Sequence, residues 1–198
     1  MTELPNDFLL ENRKGLPPDL RFLVEKYPRE IWDGHANLGD TARFWLQRHD
    51  MFRELGGMLQ ASVGDYREGR LSPADFSRWF APRLRFFLHQ LHGHHQIEDL
   101  HYFPIFAEAE RRLKRGFDIL DSDHHVIHEA LERNAEKGRE FLLALQQNAD
   151  RQRFAADAYA DENERLIHML TRHLYDEEDL IIPVILDRGE GPLGLSGY

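Results

Sequence analysis

Apolar residues recur at three- and four-residue intervals along most of the chain, and this spacing predicts four long helices. The first, over residues 40–63, sets Trp45, His49, Phe52, Gly56, Leu59 and Val63 on one face. The second opens at Ser72-Pro73-Ala74-Asp75, a capping serine followed by proline at the first helical position. It continues to about residue 115, with Leu84, Phe87, Leu91, His94 and Glu98 in line. Pro82 and Pro104 fall inside it and are expected to kink or interrupt it, because proline lacks the N–H and crowds the preceding turn. The third, over residues 118–147, carries His124, His128, Leu131 and Ala135 along one stripe. The fourth, over residues 155–186, aligns Leu166, Leu170, His173, Glu177, Leu180 and Val184. No alternating pattern competes, and the loops are short, as antiparallel neighbours require. The prediction is an all-α, up-down-up-down four-helix bundle spanning residues 38–187.

The ends of the chain follow different rules. Pro5, Gly15, Pro17, Pro18, Pro28 and Gly34 break up residues 1–37, which leaves room for one short helix near residues 19–26. Leu20, Phe22, Leu23, Val24 and Trp32 call for burial, so this segment is expected to lie as an arm over the bundle. Residues 188–198, with four glycines and a proline, read as a flexible C-terminal tail.

The polar residues on the apolar stripes carry the chemistry. His49, His94, Glu98 and Pro104 recur 79 positions later as His128, His173, Glu177 and Pro183. Such a constant offset points to two equivalent halves, each giving two imidazoles and a carboxylate to one centre. A carboxylate in a helical core costs several kcal/mol or more unless it is paired or bound to a cation. Positions four apart share a helix face, so His94 with Glu98, and His173 with Glu177, can reach one point. A single such pair is an ordinary surface feature; the joint pattern is what favours metal.

Composition narrows the choice. The net charge of −10 argues against a nucleic-acid partner, which needs a basic surface. The absence of cysteine removes disulfides, thiolate metal sites and thiol nucleophiles. Met1-Thr2-Glu3-Leu4-Pro5 does not start a secretory signal, and no apolar run is long enough to span a bilayer, so a cytoplasmic protein with no membrane partner is expected. Nitrogen and oxygen donors without sulfur suit iron, manganese, zinc or copper.

In order and spacing, His49, His94-x3-Glu98 with Tyr102-Phe103-Pro104, His124-x3-His128 and His173-x3-Glu177-Glu178 resemble the hemerythrin-like (HHE cation-binding) family. The resemblance implies a four-helix bundle around a carboxylate-bridged pair of non-haem iron ions, with zinc or manganese as substitutes. Carried over, His49 and His94 would bind one iron, His128 and His173 the other, and Glu98 and Glu177 would bridge. The oxygen carriers of the family use His-x4-Asp in the last motif, which would select Glu178; the repeat and the helix face select Glu177. They also use a fifth histidine, matching His124, which here is either a fifth ligand or an outer neighbour. Trp45, His101, Tyr102 and Glu178 are candidates for that outer layer. His95 could reach Glu98, but the repeat prefers His94. His89, His92, His125 and His168 point elsewhere.

The resemblance implies binding of a small diatomic, oxygen or nitric oxide, in carriage, sensing or protection of iron centres. Phe44, Trp45, Phe52 and Phe87 would keep the pocket dry. The alternative is an iron-responsive protein-interaction module without catalytic activity. The sequence does not fix the oligomeric state.

Overall fold

The computed structural model describes residues 8–195, and every regular element among them is helical. Four long helices carry the chain: α2 (Asp40–Arg67), α3 (Pro73–Ile97), α5 (Lys114–Ala144) and α6 (Ala149–Arg188). Two short ones accompany them, α1 (Phe22–Lys26) and α4 (Phe103–Ala109). The all-α architecture is therefore the one the apolar spacing predicts. None of the described helices is long and apolar enough to cross a membrane.

Local chemistry sets the boundaries. Ser72 caps α3 as expected, its Oγ accepting the Asp75 N–H at 3.1 Å. The fourth helix begins earlier than its apolar stripe, because the Asn148 side chain accepts the Arg151 N–H at 3.1 Å and caps it. Pro82 does not interrupt α3; it lies on the exposed side, where solvent can satisfy the carbonyl it leaves unbonded. Pro104 does break the second predicted helix. It cannot donate to the carbonyl four residues back, and the chain makes a π-helical turn over Glu98–Tyr102 before α4 begins. The Phe103 N–H reaches Glu98 O, one residue further than in an α-helix.

The chain resolves into two compact units. The described part of the first comprises residues 8–50, 95–124 and 171–195. Its core includes Trp45, Phe106, Phe117, Leu120, Leu180 and Ile185. The arm belongs to this core through Leu16, Leu20, Leu23 and Trp32, in keeping with its apolar content. Gly116 lies where Leu180 leaves no room for a Cβ, so α5 and α6 pack closely there.

The C-terminal segment departs from the expected loose tail. Leu193 and Leu195 are buried, and Glu190 accepts the backbone N–H groups of Thr41 and Ala42, which are otherwise unsatisfied at the start of α2. Turns at Gly189 and Gly194, both at positive φ, allow the chain to fold back. Leucines hidden among glycines made this docking hard to read from composition.

The second unit comprises residues 51–94 and 125–170. Phe76, Phe80, Phe141 and Tyr159 form its aromatic centre, with Phe76 and Phe80 stacked at 4.7 Å. Two buried asparagines link its helices: Asn134 donates to Asn163, and Asn163 donates to Gln60.

Replacing Glu190 with alanine should remove the α2 cap and cost about 1 kcal/mol. Urea unfolding should show a lower midpoint at unchanged slope, and an unaltered midpoint would deny that the segment caps the helix.

Candidate metal centre

One stretch of the second predicted helix supplies three donors. An α-helix turns about 100° per residue, so Glu98 projects roughly 40° round from His94 and about 60° from His95 on the other side. The carboxylate thus stands between two adjacent imidazoles. On α6, Glu177 lies one turn from His173. Helix α2 adds His49 and α5 adds His124.

These donors form two groups. In one, His95, His124 and His173 each offer a ligand atom, all within 4.8 Å of one another. In the other, His49, His94, Glu98 and Glu177 do the same within the same limit. Glu177 is arranged to serve both: one carboxylate oxygen is 3.5 Å from His49 Nε2 and the other is 3.4 Å from His173 Nε2. Glu98 Oε2 stands 3.6 Å from His124 Nε2. The Nε2 atoms of His124 and His173 face each other at 3.1 Å, and the His95 ring lies parallel to that of His124 at 4.0 Å.

Three of the five rings are held from behind by carboxylates. His49 Nδ1 pairs with Glu178 at 2.9 Å, His124 Nδ1 with Asp99 at 2.6 Å, and His173 Nδ1 with Asp123 at 3.3 Å. An imidazole that donates from Nδ1 to a carboxylate presents a bare Nε2 lone pair. Two such lone pairs at 3.1 Å repel unless a proton or a metal cation lies between them.

The charges in the site agree with that demand. Burial and the adjacent Glu177 push the Glu98 carboxyl well above the usual range. Glu177 is held well below it despite complete burial, by His49 and His173. Burial opposes protonation of His173, but Asp123 and Glu177 outweigh it and raise the group to about 9. Burial lowers His124, opposed by Asp99. Protons therefore occupy this polar cluster when nothing else does, and a divalent cation would displace them. Once those protons leave, imidazoles and carboxylates already turned toward common points fit such a cation chemically.

The family model for the hemerythrin HHE cation-binding domain matches residues 40–185. The chain belongs to that family. Comparison with curated proteins and with solved structures returned no match.

Within this hemerythrin domain, the structure brings together His49, His94, Glu98, His124, His173 and Glu177 from the sequence-derived set. It does not bring in His128. That side chain is 49% exposed, its Nε2 3.4 Å from Glu132 and its ring 5.1 Å from that of His92. The reason lies in the stripes. On α2 the buried positions run 45, 49, 52; on α5 they are 123, 124, 127, 130 and 131. Position 128 falls between them on the exposed side, so the counterpart of His49 lies outside the buried face.

His95 takes a place that the repeat gave to no residue. The available signal was adjacency: two consecutive histidines flank the angular position of Glu98. Among the outer candidates, Trp45 donates its indole N–H to Glu177 at 2.8 Å, Glu178 holds His49, and Tyr102 packs edge-on against Trp45. His101 is exposed, because the π turn carries it away from the cluster. Phe44 is also exposed, at 62%, and lines nothing here.

His95→Ala should weaken metal retention by more than the roughly 10–100-fold that loss of an outer hydrogen-bond partner costs. His128→Ala should retain metal like the parent. Elemental analysis after desalting against a weak chelator separates the two, and equal losses would contradict this ligand set.

Proposed function

We propose that the chain is a non-haem di-iron protein that binds a small diatomic, oxygen or nitric oxide, with zinc or manganese able to substitute for iron. The observation that carries the reading is the 3.1 Å confrontation of His124 Nε2 and His173 Nε2, each with its opposite nitrogen committed to a carboxylate. Two ligand groups sharing Glu98 and Glu177 favour two cations rather than one. The three-imidazole group, His95, His124 and His173, would fill more of its cation's coordination positions. The group built on His49 and His94 relies on shared carboxylates and would leave a position free. Iron supplies the redox electrons and that free position when bound.

The surrounding side chains define what can approach. Phe103 stacks on His124 at 5.3 Å and Phe52 packs against the His94 ring at 5.1 Å. Phe52 packs in turn on Phe87 at 6.4 Å, and both are buried, as is Trp45. The Trp45 N–H anchors Glu177, so this carboxylate keeps its orientation without a compensating water. A dry surround favours a small, neutral ligand over a charged substrate.

Anaerobic reduction of iron-loaded protein followed by oxygen or nitric oxide tests this directly. A visible spectrum that changes and recovers on removal of the gas indicates carriage or sensing; irreversible oxidation with turnover indicates an enzyme. A spectrum indifferent to both gases would end the proposal.

The protonation of the ligands gives a second test. With His173 raised to about 9 from an ordinary 6.5, its proton stabilises the metal-free fold fully below pH 6.5. That contribution is lost as pH rises through 9. The thermal midpoint of metal-free protein should therefore fall across this window, and that of metal-loaded protein should not follow. Calorimetry in buffers of different ionisation heat should show about one proton released from this imidazole at neutral pH on metal binding. No release would contradict displacement of the His173 proton.

A further inference from the structure

The carboxylates behind two of the imidazoles are themselves gripped by arginines that precede α2. Asp123, behind His173, accepts from both terminal nitrogens of Arg13, one at 3.1 Å. Arg13 Nε donates to Asp176 at 2.7 Å, and the other oxygen of Asp176 accepts from Arg172 at 2.7 Å. The Arg13, Asp123 and Asp176 side chains are all buried. Glu178, behind His49, accepts from Arg29 Nη1 at 2.7 Å. Arg29 also donates to Asp179 and to the Tyr175 carbonyl, and its guanidinium lies over the rings of Trp32 and Tyr175.

We infer that Arg13 and Arg29 are positioning residues of the metal centre: acting through Asp123 and Glu178, they fix the direction and tautomer of His173 and His49. This rests on the di-iron reading above. The family match begins at residue 40, so both arginines lie outside it. Arg13 holds Asp123 with two parallel donors, which keeps that carboxylate in one plane, while Arg29 holds Glu178 with one donor and is itself fixed by two rings and a carbonyl. Without these donors the carboxylates can turn, and each imidazole loses the acceptor that keeps its hydrogen on Nδ1. A hydrogen moved to Nε2 blocks the nitrogen that must face metal. Residues 8–37 thereby become part of the centre rather than a cover over it.

The test uses the full chain and iron(II), titrated anaerobically against a chromophoric chelator. Arg29→Gln and Arg13→Gln should each weaken one of the two binding steps about 10–100-fold, with lysine at the same position restoring part of the loss. Lys26→Ala breaks a 2.7 Å ion pair to Asp187 that leads to no ligand, and both steps should keep their constants. A merely structural role would lower the thermal midpoint in any background. A positioning role predicts coupling instead: in a His49→Ala chain, Arg29→Gln should add nothing, while Arg13→Gln should still weaken the remaining step. Should Arg13→Gln fail to fold, Arg29→Gln decides, since that side chain is 35% exposed. Variants that bind both irons as the parent does, whatever their stability, would overturn the inference alone. A parent chain that binds no iron would overturn the di-iron reading with it.

Discussion

The Nε2 atoms of His124 and His173 face each other at 3.1 Å, with their opposite nitrogens engaged by Asp99 and Asp123. Two lone pairs so placed need positive charge between them, and much of the first unit is arranged to maintain that need. Around them stand Glu98 and Glu177, both almost completely buried, with His49, His94 and His95 close by. An apolar core would be cheaper to fold than this one. Desolvating the carboxylates costs several kcal/mol each unless a proton or a metal compensates. With His173 and Glu98 both raised, protons can take that role, and a metal cation would compete for the same positions.

Outward from the donors, each layer restricts the one inside it. Glu178, Asp99 and Asp123 fix three rings; Arg13 and Arg29 fix two of those carboxylates; Trp32 and Tyr175 fix Arg29. A buried polar network of this kind is favourable only when every member is satisfied, so its outer members are not optional. This explains why the arm contributes leucines and Trp32 to the core while its arginines reach past the surface. Apolar burial anchors the segment, and the anchored segment can then aim its charges.

Periodicity made the four helices, the capped start of α3 and the burial of the arm legible, because each depends on local spacing. Of the seven residues gathered in the two groups, His49, His94, Glu98, His173 and Glu177 stand on apolar stripes where a charge needs explaining, and His124 stands beside them as either a ligand or an outer neighbour. What escaped was whatever depended on register between elements. His128 lies outside both groups because a 79-residue offset preserves residue type without preserving which positions a helix buries. His95 was passed over because a helix face admits one of two neighbours by default, whereas a carboxylate between them admits both. The π turn was foreshadowed by Pro104, but proline announces only that a hydrogen bond is missing, not how the helix rearranges. The docking of Leu193 and Leu195 depends on long-range contacts that glycine-rich composition conceals.

The imperfect repeat has a chemical consequence. If His128 faced inward as His49 does, and Trp45 were a histidine as His124 is, the halves would match and the two groups would be equivalent. Instead Trp45 occupies that place on α2, donating to Glu177 and packing against Phe106, and the extra imidazole comes from His95. One group therefore has three nitrogen donors while the other has two and shares its carboxylates. Two cations held this unequally would differ in vacancy, charge and access. The asymmetry that spoils the sequence repeat is what would let one metal remain a fixed partner while the other meets a ligand.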